Sequence, residues 1–422
     1  MPQRHGLGNQ EVLGNQTEID QSNPTMNWNN LYAKRTRWMT RSAIREVLKV
    51  TAQREIISFA GGLPAADLFP LDRVSEAATR VLKTIGPSAL QYSQTEGIGG
   101  LRDWIAGKFN VQRENVLITS GSQQALDLIG RVILDEGDRA IVESPTYLAL
   151  LSAWRPLGVE FIPAPADADG MQVDQLEALL QPQRPKCIYL TPNFQNPQGT
   201  TLTQERRIAL LEFARKHSIA IVEDNPYSEL RYRGASLPHL IDLDADAQAT
   251  NDGVVIHVGT FSKVLMPGLR IGWVVAASPL IDKLVLAKQA ADLHTSTFNQ
   301  HVALELATNG CMDELIPRLR QAYRERLEAM LAALEAHFPR GASWMRPDGG
   351  IFLLATLPKS VNTTELLPPA LEQNVAFVPG EEFHLNGEGR NTLRLNFSNP
   401  TPGKINAGIE RLAEVVKRAC SA

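Results

Sequence analysis

Residues 254–277 read VVIHVGTFSKVLMPGLRIGWVVAA. Two runs within it, Val254 to Val258 and Ile271 to Ala276, are apolar and rich in β-branched side chains, the composition of buried strands. Between them lies a polar turn that carries Thr260, Ser262, Lys263 and Arg270. Such a turn places an amine at the end of a sheet beside two hydroxyls and a guanidinium, a set that could together hold a phosphate group. A lysine so placed suits Schiff-base chemistry, because partial burial or a neighbouring cation lowers its pKa and exposes the free amine. An arbitrary lysine is more often an exposed loop side chain. The rest of the chain decides between the two.

Working outward, strand and helix patterns alternate. VLIT at 116–119 is followed by SGSQQALDLIGRVIL, where Leu126, Ile129 and Ile133 fall on one helical face. RAIVE at 139–143, VEFIPAP, KCIYL at 186–190 and IAIVE at 219–223 come next, separated by helical patterns through Leu150, over Val173 to Leu180 and over Gln204 to Lys216. Repeated βα alternation with near-continuous apolar strands implies an α/β fold, a mainly parallel seven-stranded sheet covered by helices on both faces. Ligands of such sheets bind outside the carboxyl ends of the strands.

The residues just beyond each strand are therefore informative. After VLIT come Gly121, Ser122 and Gln123; after RAIVE, SPTY with Tyr147; after KCIYL, TPNFQNPQG with Asn196; after IAIVE, Asp224 and Tyr227; after VVIHV, Lys263. Each has a plain structural explanation when taken singly. Asn196 before a proline is a turn, Asp224 a helix cap, Tyr147 a buried aromatic, and the Gly121 turn an ordinary strand-to-helix connection. Their convergence on one sheet edge is the evidence. A turn into a helix N-terminus, as at Ser122, also suits a phosphate.

Composition bounds the alternatives. The chain has 422 residues, a net charge of -4, three cysteines and eight histidines. That length gives one large or two ordinary domains. Balanced charge offers no field for nucleic acid and no polybasic membrane patch, and no run is long and apolar enough to span a bilayer. Cys187, Cys311 and Cys420 lack paired spacing, which suggests reduced thiols and a cytoplasmic setting. No metal-ligand spacing occurs, and neither GxGxxG nor GxxxxGK[ST] is present.

Residues 1–27, rich in Asn, Gln and Gly, read as a disordered tail. From Ser42, SAIREVLKVTAQ puts Ile44, Val47 and Leu48 on one helical face and leaves Arg45 off it. FAGGLPAADLFP (59–70) is a turn in which Gly61 and Gly62 serve either a close backbone approach to a ligand or a tight bend alone. Downstream, Pro317 to Phe338 reads as a long amphipathic helix, WMRPDGGIFLLATL, VAFVPG and TLRLNFS as strands, and Thr364 to Gln373 and Pro402 to Lys417 as helices. The expected organisation is an arm and helix over 28–71, a large domain over 72–308 and a smaller α+β domain over 309–422.

SGSQQAL, ESPTY, PNFQNPQG, VEDNPY and GTFSKVLMPGLRIGW together resemble the fold type I pyridoxal phosphate (PLP) aminotransferases. SAIREVLK and SFAGGLPAADLFP are most similar to the branch with 2-aminoadipate and kynurenine aminotransferases. The resemblance runs from about Trp28 to the C-terminus, and its motifs are specific in combination. It implies that Lys263 forms the Schiff base with PLP and, once displaced, moves the proton from substrate Cα. Asp224 would pair with the pyridine nitrogen, Asn196 and Tyr227 would bond its phenolic oxygen, and Tyr147 would stack on the ring. Ser122 and Gln123 would hold the phosphate with Thr260, Ser262 and Arg270. Tyr92 would reach the phosphate of a neighbouring subunit, which implies a homodimer.

Arg394, in RLNFS, falls where the family keeps the arginine that grips the substrate α-carboxylate, with Gly62 and Asn196 beside it. Arg45 falls where 2-aminoadipate-using relatives place an arginine for a distal carboxylate. The implied reaction moves the amino group of 2-aminoadipate or a similar α-amino acid to 2-oxoglutarate, with leucine, aromatic and kynurenine-like donors also admitted. A PLP-dependent β-lyase or decarboxylase is an alternative, since the cofactor set is shared. An aminotransferase-like effector domain of a transcription regulator is another, although the segment before the fold lacks the footprint of a DNA-binding module.

Overall fold

Apolar runs of four to six residues bounded by polar turns become strands buried on both faces, and the amphipathic segments between them become the helices that cover those faces. The computed structural model describes residues 26–39, 55–245 and 251–421. The tail expected over 1–27 lies outside them except for Met26 and Asn27. The helical face expected from Ser42, with Arg45, lies outside them altogether.

In chain order the described strands are β1 (Ile57–Ser58), β2 (Val116–Thr119), β3 (Arg139–Ser144), β4 (Glu160–Asp167), β5 (Gly170–Met171), β6 (Cys187–Leu190) and β7 (Ala220–Asp224). They continue with β8 (Val255–Thr260), β9 (Gly272–Val275), β10 (Ser343–Trp344), β11 (Phe352–Thr356), β12 (Val375–Ala376), β13 (Val378–Pro379) and β14 (Thr392–Asn396). The main sheet has the order β2-β9-β8-β7-β6-β3-β4-β5. Strands β8, β7, β6, β3 and β4 pair in parallel, whereas β9 is antiparallel to both β8 and β2. The expected seven strands are therefore extended by β5, a two-residue strand antiparallel to the edge of β4. Because β2 and β8 both oppose β9, the carboxyl ends of β2, β3, β6, β7 and β8 share one edge.

Residue parity divides the core. On one face Leu117, Val142, Cys187, Tyr189, Val222, Ile256 and Val258 pack with Leu126 and Ile129 from the helix Ser122–Ile133. On the other, Ile118, Ile141, Ile188, Ile221 and Val255 pack with Leu210, Leu211 and Ala214 from the helix Gln204–His217 and with Val302 and Leu306 from the helix Thr297–Thr308. A separate antiparallel sheet, β10-β11-β14-β13, carries Arg394 on β14 opposite Leu354 and Val378. The helices Cys311–His337 and Pro402–Ser421 bury Leu319, Tyr323, Leu327, Ile405, Ile409 and Leu412 in the same core.

Two boundaries differ from the pattern. The long helix begins at Cys311, six residues before Pro317, because Gly310 enters it in a left-handed conformation and Asn309 Oδ1 accepts from Cys311 N at 3.1 Å. The segment Val173–Leu180 is a 3-10 helix and not an α-helix. Three helices, Gly99–Phe109, Ser278–Asp292 and Thr297–Thr308, carry no clear apolar stripe and were not expected. Their polar residues are themselves partly buried, as with Arg102, Lys288 and Gln300, so the pattern is blurred.

The loop after β6 is held from behind by Arg207, which is fully buried on the helix Gln204–His217. Its guanidinium donates to Leu202 O (3.0 Å), Pro238 O (2.8 Å), Pro192 O (3.0 Å) and Asn193 Oδ1 (2.8 Å). Replacing it strands four acceptors, three of them buried. The Arg207→Met variant is expected to lose about 3 kcal/mol or more of stability, seen as a fall of several degrees in melting temperature. A shift below about 1 °C would show that the tether contributes nothing net.

Candidate active site

At the shared strand edge Gly62, Ser122, Gln123, Tyr147, Asn196, Asp224, Tyr227, Thr260, Ser262, Lys263, Arg270 and Arg394 line one cavity of about 270 Å³. Twelve of the fourteen residues singled out from sequence are thus brought together from segments remote in the chain. Thr191, Pro226, Pro267 and Phe352 complete the lining.

One end is a polar cup. Gly121 has a left-handed φ of 84°, and a Cβ there would collide with the Arg270 guanidinium. Gly272 on β9 lies so close that a Cβ would sit 2.7 Å from Gly121 C and Ser122 N. The two glycines let the turn, the strand and the guanidinium share a space that side chains would fill. The helix Ser122–Ile133 starts there, so its positive end faces the cavity with the N–H groups of Ser122 and Gln123 ahead of its first bonds, whereas Gln124 N already donates to Gly121 O at 3.2 Å. Thr260 Oγ1 lies 2.9 Å from Ser262 Oγ and accepts from Ser262 N at 3.1 Å. Arg270 is itself left-handed, with φ 54°, and donates to Ser120 O at 3.2 Å. Non-glycine residues adopt that conformation at a cost of about 1 kcal/mol, and here it aims the guanidinium at the turn.

The other end is governed by buried charge. Lys263 Nζ donates to Gly62 O at 2.7 Å. Burial, followed by the Arg394 and Arg270 cations, lowers its pKa to about 8 against the opposing pull of Asp224. Burial raises the Asp224 carboxyl to about 6, opposed by the Tyr189 hydroxyl, His257 and Lys263. Tyr189 Oη donates to Asp224 Oδ2 at 2.8 Å. Oδ1 of the same carboxylate is buried and has no hydrogen-bond partner among the described residues. Burial also pushes Tyr147 up to about 12, and it raises Tyr227 further still, with Asn196 bonded to the Tyr227 hydroxyl.

Arg394 is 1% exposed. Its guanidinium lies 4.1 Å from the centre of the Phe352 ring and 5.1 Å from that of Phe383, and it donates to Asn196 Oδ1 (2.8 Å) and Ala60 O (2.5 Å). Its Nε has no partner among the described residues. Burial lowers its pKa to about 10, which leaves it a cation at neutral pH.

Of the two other expected residues, one lies away from the cavity and one is outside the described residues. Tyr92 is 78% exposed, edge-on to His294 at 5.8 Å, in a surface hollow with Leu90, Gln91 and Thr297. A single chain does not bring it to the cavity. Arg45 lies outside the described residues. Conversely, Tyr189, Phe352 and Phe383 are site residues that the sequence reading misses. Tyr189 had a usable signal, because it pairs with Val222 and so shares a face with Asp224 two residues on. Nothing in sequence marks the two phenylalanines as an arginine sandwich.

This donor set fits a phosphorylated pyridine aldehyde: a cup of N–H groups, hydroxyls and a guanidinium for the phosphate, an orphan carboxylate oxygen for a ring N–H, and an amine of lowered pKa. Known proteins agree. The model of the family described as aminotransferase class I and II matches residues 54–412. The chain is 43% identical to aromatic-amino-acid aminotransferase 1 of Thermococcus litoralis over 405 residues, 93% of this chain and 96% of that one. It resembles the crystal structure of the α-aminoadipate aminotransferase of Thermus thermophilus, complexed with N-(5'-phosphopyridoxyl)-L-leucine, with a TM-score of 0.88 and 43% identity over 94% of this chain and all of that one. It resembles the Pyrococcus horikoshii kynurenine aminotransferase structure equally well, with a TM-score of 0.88 and 41% identity over 93% and 98% of the two chains. The chain therefore belongs to the class I and II aminotransferases. It is a PLP-dependent transaminase of fold type I, in the branch that holds the 2-aminoadipate, aromatic and kynurenine enzymes.

Asp224 allows a direct check of these electrostatics. Its carboxyl is held above the value it has in the unfolded chain, so folding favours the protonated form. That stability is complete below about pH 4 and is lost as pH rises through about 6. Without cofactor, Asp224→Asn is expected to be more stable than the parent above pH 6, by up to about 3 kcal/mol, with the gap closing toward pH 4. Denaturation curves across that range that show a constant gap would contradict the assigned burial.

Proposed function

We propose that the chain moves the amino group of an α-amino acid with an acidic side chain, 2-aminoadipate or similar, to 2-oxoglutarate, with Lys263 as the Schiff-base lysine. The observation that carries this is the half-buried, pKa-lowered Lys263 amine sharing one cavity with the free Oδ1 of Asp224 and the stacked guanidinium of Arg394. When bound, PLP supplies an aldehyde carbon open to amine attack and an electron-withdrawing ring that stabilises negative charge at substrate Cα.

The chain's own residues orient and tune. Asp224 Oδ1 would accept from a protonated ring nitrogen, while Tyr189 keeps Oδ2 occupied and so fixes the aim of Oδ1. Ser122 and Gln123, at a helix N-terminus, grip the phosphate with Thr260, Ser262 and Arg270. Tyr147 would lie against the ring, and Asn196 and Tyr227 would donate to the phenolic oxygen. Arg394 takes the α-carboxylate in a bidentate grip. Its stacking between Phe352 and Phe383 fixes the guanidinium plane and hence the direction of the Cα–H bond. Lys263 Nζ, unprotonated at accessible cost near pH 8, then moves that proton. Gly62 keeps the ceiling low, since a Cβ would lie 3.0 Å from the Phe352 ring and 4.0 Å from Lys263 Nζ.

In this proposal Arg45 meets the distal carboxylate, leucine, aromatic and kynurenine-like donors enter the same pocket, and residues 72–308 and 309–422 act as the large and small domains behind an arm at 28–71. A second copy brings Tyr92 to the phosphate, and the dimer works in the cytoplasm. Among the described residues no helix is long and apolar enough to cross a membrane, and no group of side chains could hold a metal ion. The relatives that are 43% and 44% identical are named aminotransferases, which favours transamination over β-elimination, decarboxylation or the regulatory role that the names of two relatives only 27% identical carry.

Lys263→Ala is expected to abolish multiple turnover while the chain remains folded; sustained turnover by that variant removes the lysine from the mechanism. For specificity, kcat/KM for 2-aminoadipate, glutamate, leucine and kynurenine should favour the acidic donors in the parent. In Arg45→Ala the acidic donors should lose about 10-fold or more and leucine should change little. An acidic preference that survives the substitution assigns the distal carboxylate to another group.

A further inference from the structure

The polar cup is braced from outside by an ion pair that never reaches the cavity. Lys288, on the helix Ser278–Asp292, has a fully buried side chain. Its Nζ donates to Asp292 Oδ1 (2.6 Å), to Asp292 Oδ2 (2.8 Å) and to Gln124 Oε1 (3.0 Å). Asp292 Oδ2 also accepts from Gln124 Nε2 (2.7 Å) and from Ser120 Oγ (2.9 Å). Gln124 Oε1 in turn accepts from Ser120 N at 2.7 Å, and Arg270 Nη2 donates to Ser120 O at 3.2 Å.

Every polar atom of Ser120 is therefore tied down. Ser120 immediately precedes Gly121, whose left-handed conformation leaves the turn no stiffness of its own. An exposed lysine–aspartate pair four residues apart on a helix is worth only about 0.3–0.5 kcal/mol. A lysine taken wholly out of water costs more than such a pair returns, unless fixed geometry and further hydrogen bonds compensate. Here the compensation runs through Gln124 and Ser120 to the turn that presents Ser122 and Gln123.

We infer that Lys288 and Asp292 are positioning residues for the phosphate subsite, holding Ser120 and Gln124 so that the first-turn N–H groups and Arg270 meet a phosphate already in place. This rests on the proposal that Ser122 and Gln123 bind the cofactor's phosphate. A brace acting on that group alone discriminates between PLP and pyridoxal, which has the same ring and aldehyde without the phosphate.

The test is titration of the cofactor-free full-length chain with PLP and with pyridoxal, in the parent, Lys288→Met, Asp292→Ala, Asp292→Asn and Ser120→Ala. In Lys288→Met and Asp292→Ala the Kd for PLP should rise about 10- to 100-fold while that for pyridoxal stays within about 2-fold. Asp292→Asn, which keeps an acceptor for Ser120 Oγ, should recover part of the loss. Ser120→Ala, a single lost hydroxyl that leaves the buried pair intact, should weaken PLP selectively and serves if the larger changes prevent folding. Equal weakening of PLP and pyridoxal, or an unchanged Kd for PLP, overturns the inference. A parent that binds both with equal affinity shows instead that the turn does not hold the phosphate, which removes that assignment and the inference together.

Discussion

The structure depends on the unequal charge gathered around one cavity, with Arg394 and Asp224 buried, Lys263 half-buried and Arg270 at its exposed rim. Lys263, Arg270 and Arg394 all line the cavity, and Asp224 is the carboxylate that faces them there. Burial disfavours charge of either sign, so Lys263 gives up its proton more readily, helped by the nearby Arg394 and Arg270 cations, while Asp224 holds one more tightly against the opposing pull of Tyr189, His257 and Lys263. The imbalance has a use. A phosphate and a substrate carboxylate each bring negative charge to a place already built for it, so binding relieves a cost that folding incurred. Burial first, and the neighbouring cations second, let the Lys263 amine, which is ordinarily protonated, give up its proton near pH 8.

Sheet topology makes this arrangement possible. Adjacent carboxylates show how: Glu223 and Asp224 end the same strand and point to opposite faces. Burial pushes Glu223 upward too, but the hydrogen bond and charge of His257, with His239 and the N–H of Leu240, prevail and leave it well below the usual range. Asp224, with Tyr189 on one oxygen and nothing on the other, goes the opposite way. One is a satisfied structural anion, the other an acceptor waiting for a donor. The parallel register of β6, β7 and β8 sets Tyr189, Asp224 and the turn of Lys263 on the same side.

Much of this is legible in the chain, for a specific reason. Polar residues just past an apolar strand mark its carboxyl end, so Ser122, Tyr147, Asn196, Asp224 and Lys263 announce a common edge by sequence alone. The residues that escape such a reading lie inside apolar or helical patterns. Tyr189 hides in KCIYL, and Phe352 and Phe383 look like ordinary core. Lys288 and Asp292 have the spacing of a surface pair, although the lysine is buried. Tyr92 is singled out by resemblance alone. In one chain it lies on the surface, away from the cavity.

Where the cofactor bonds to the chain tests the central claim most directly. Protein saturated with PLP, reduced with borohydride and digested, should yield the phosphopyridoxyl group on the peptide that contains Lys263, as found by mass spectrometry. Modification distributed over surface lysines, or concentrated on another single lysine with Lys263 unmodified, would contradict the account.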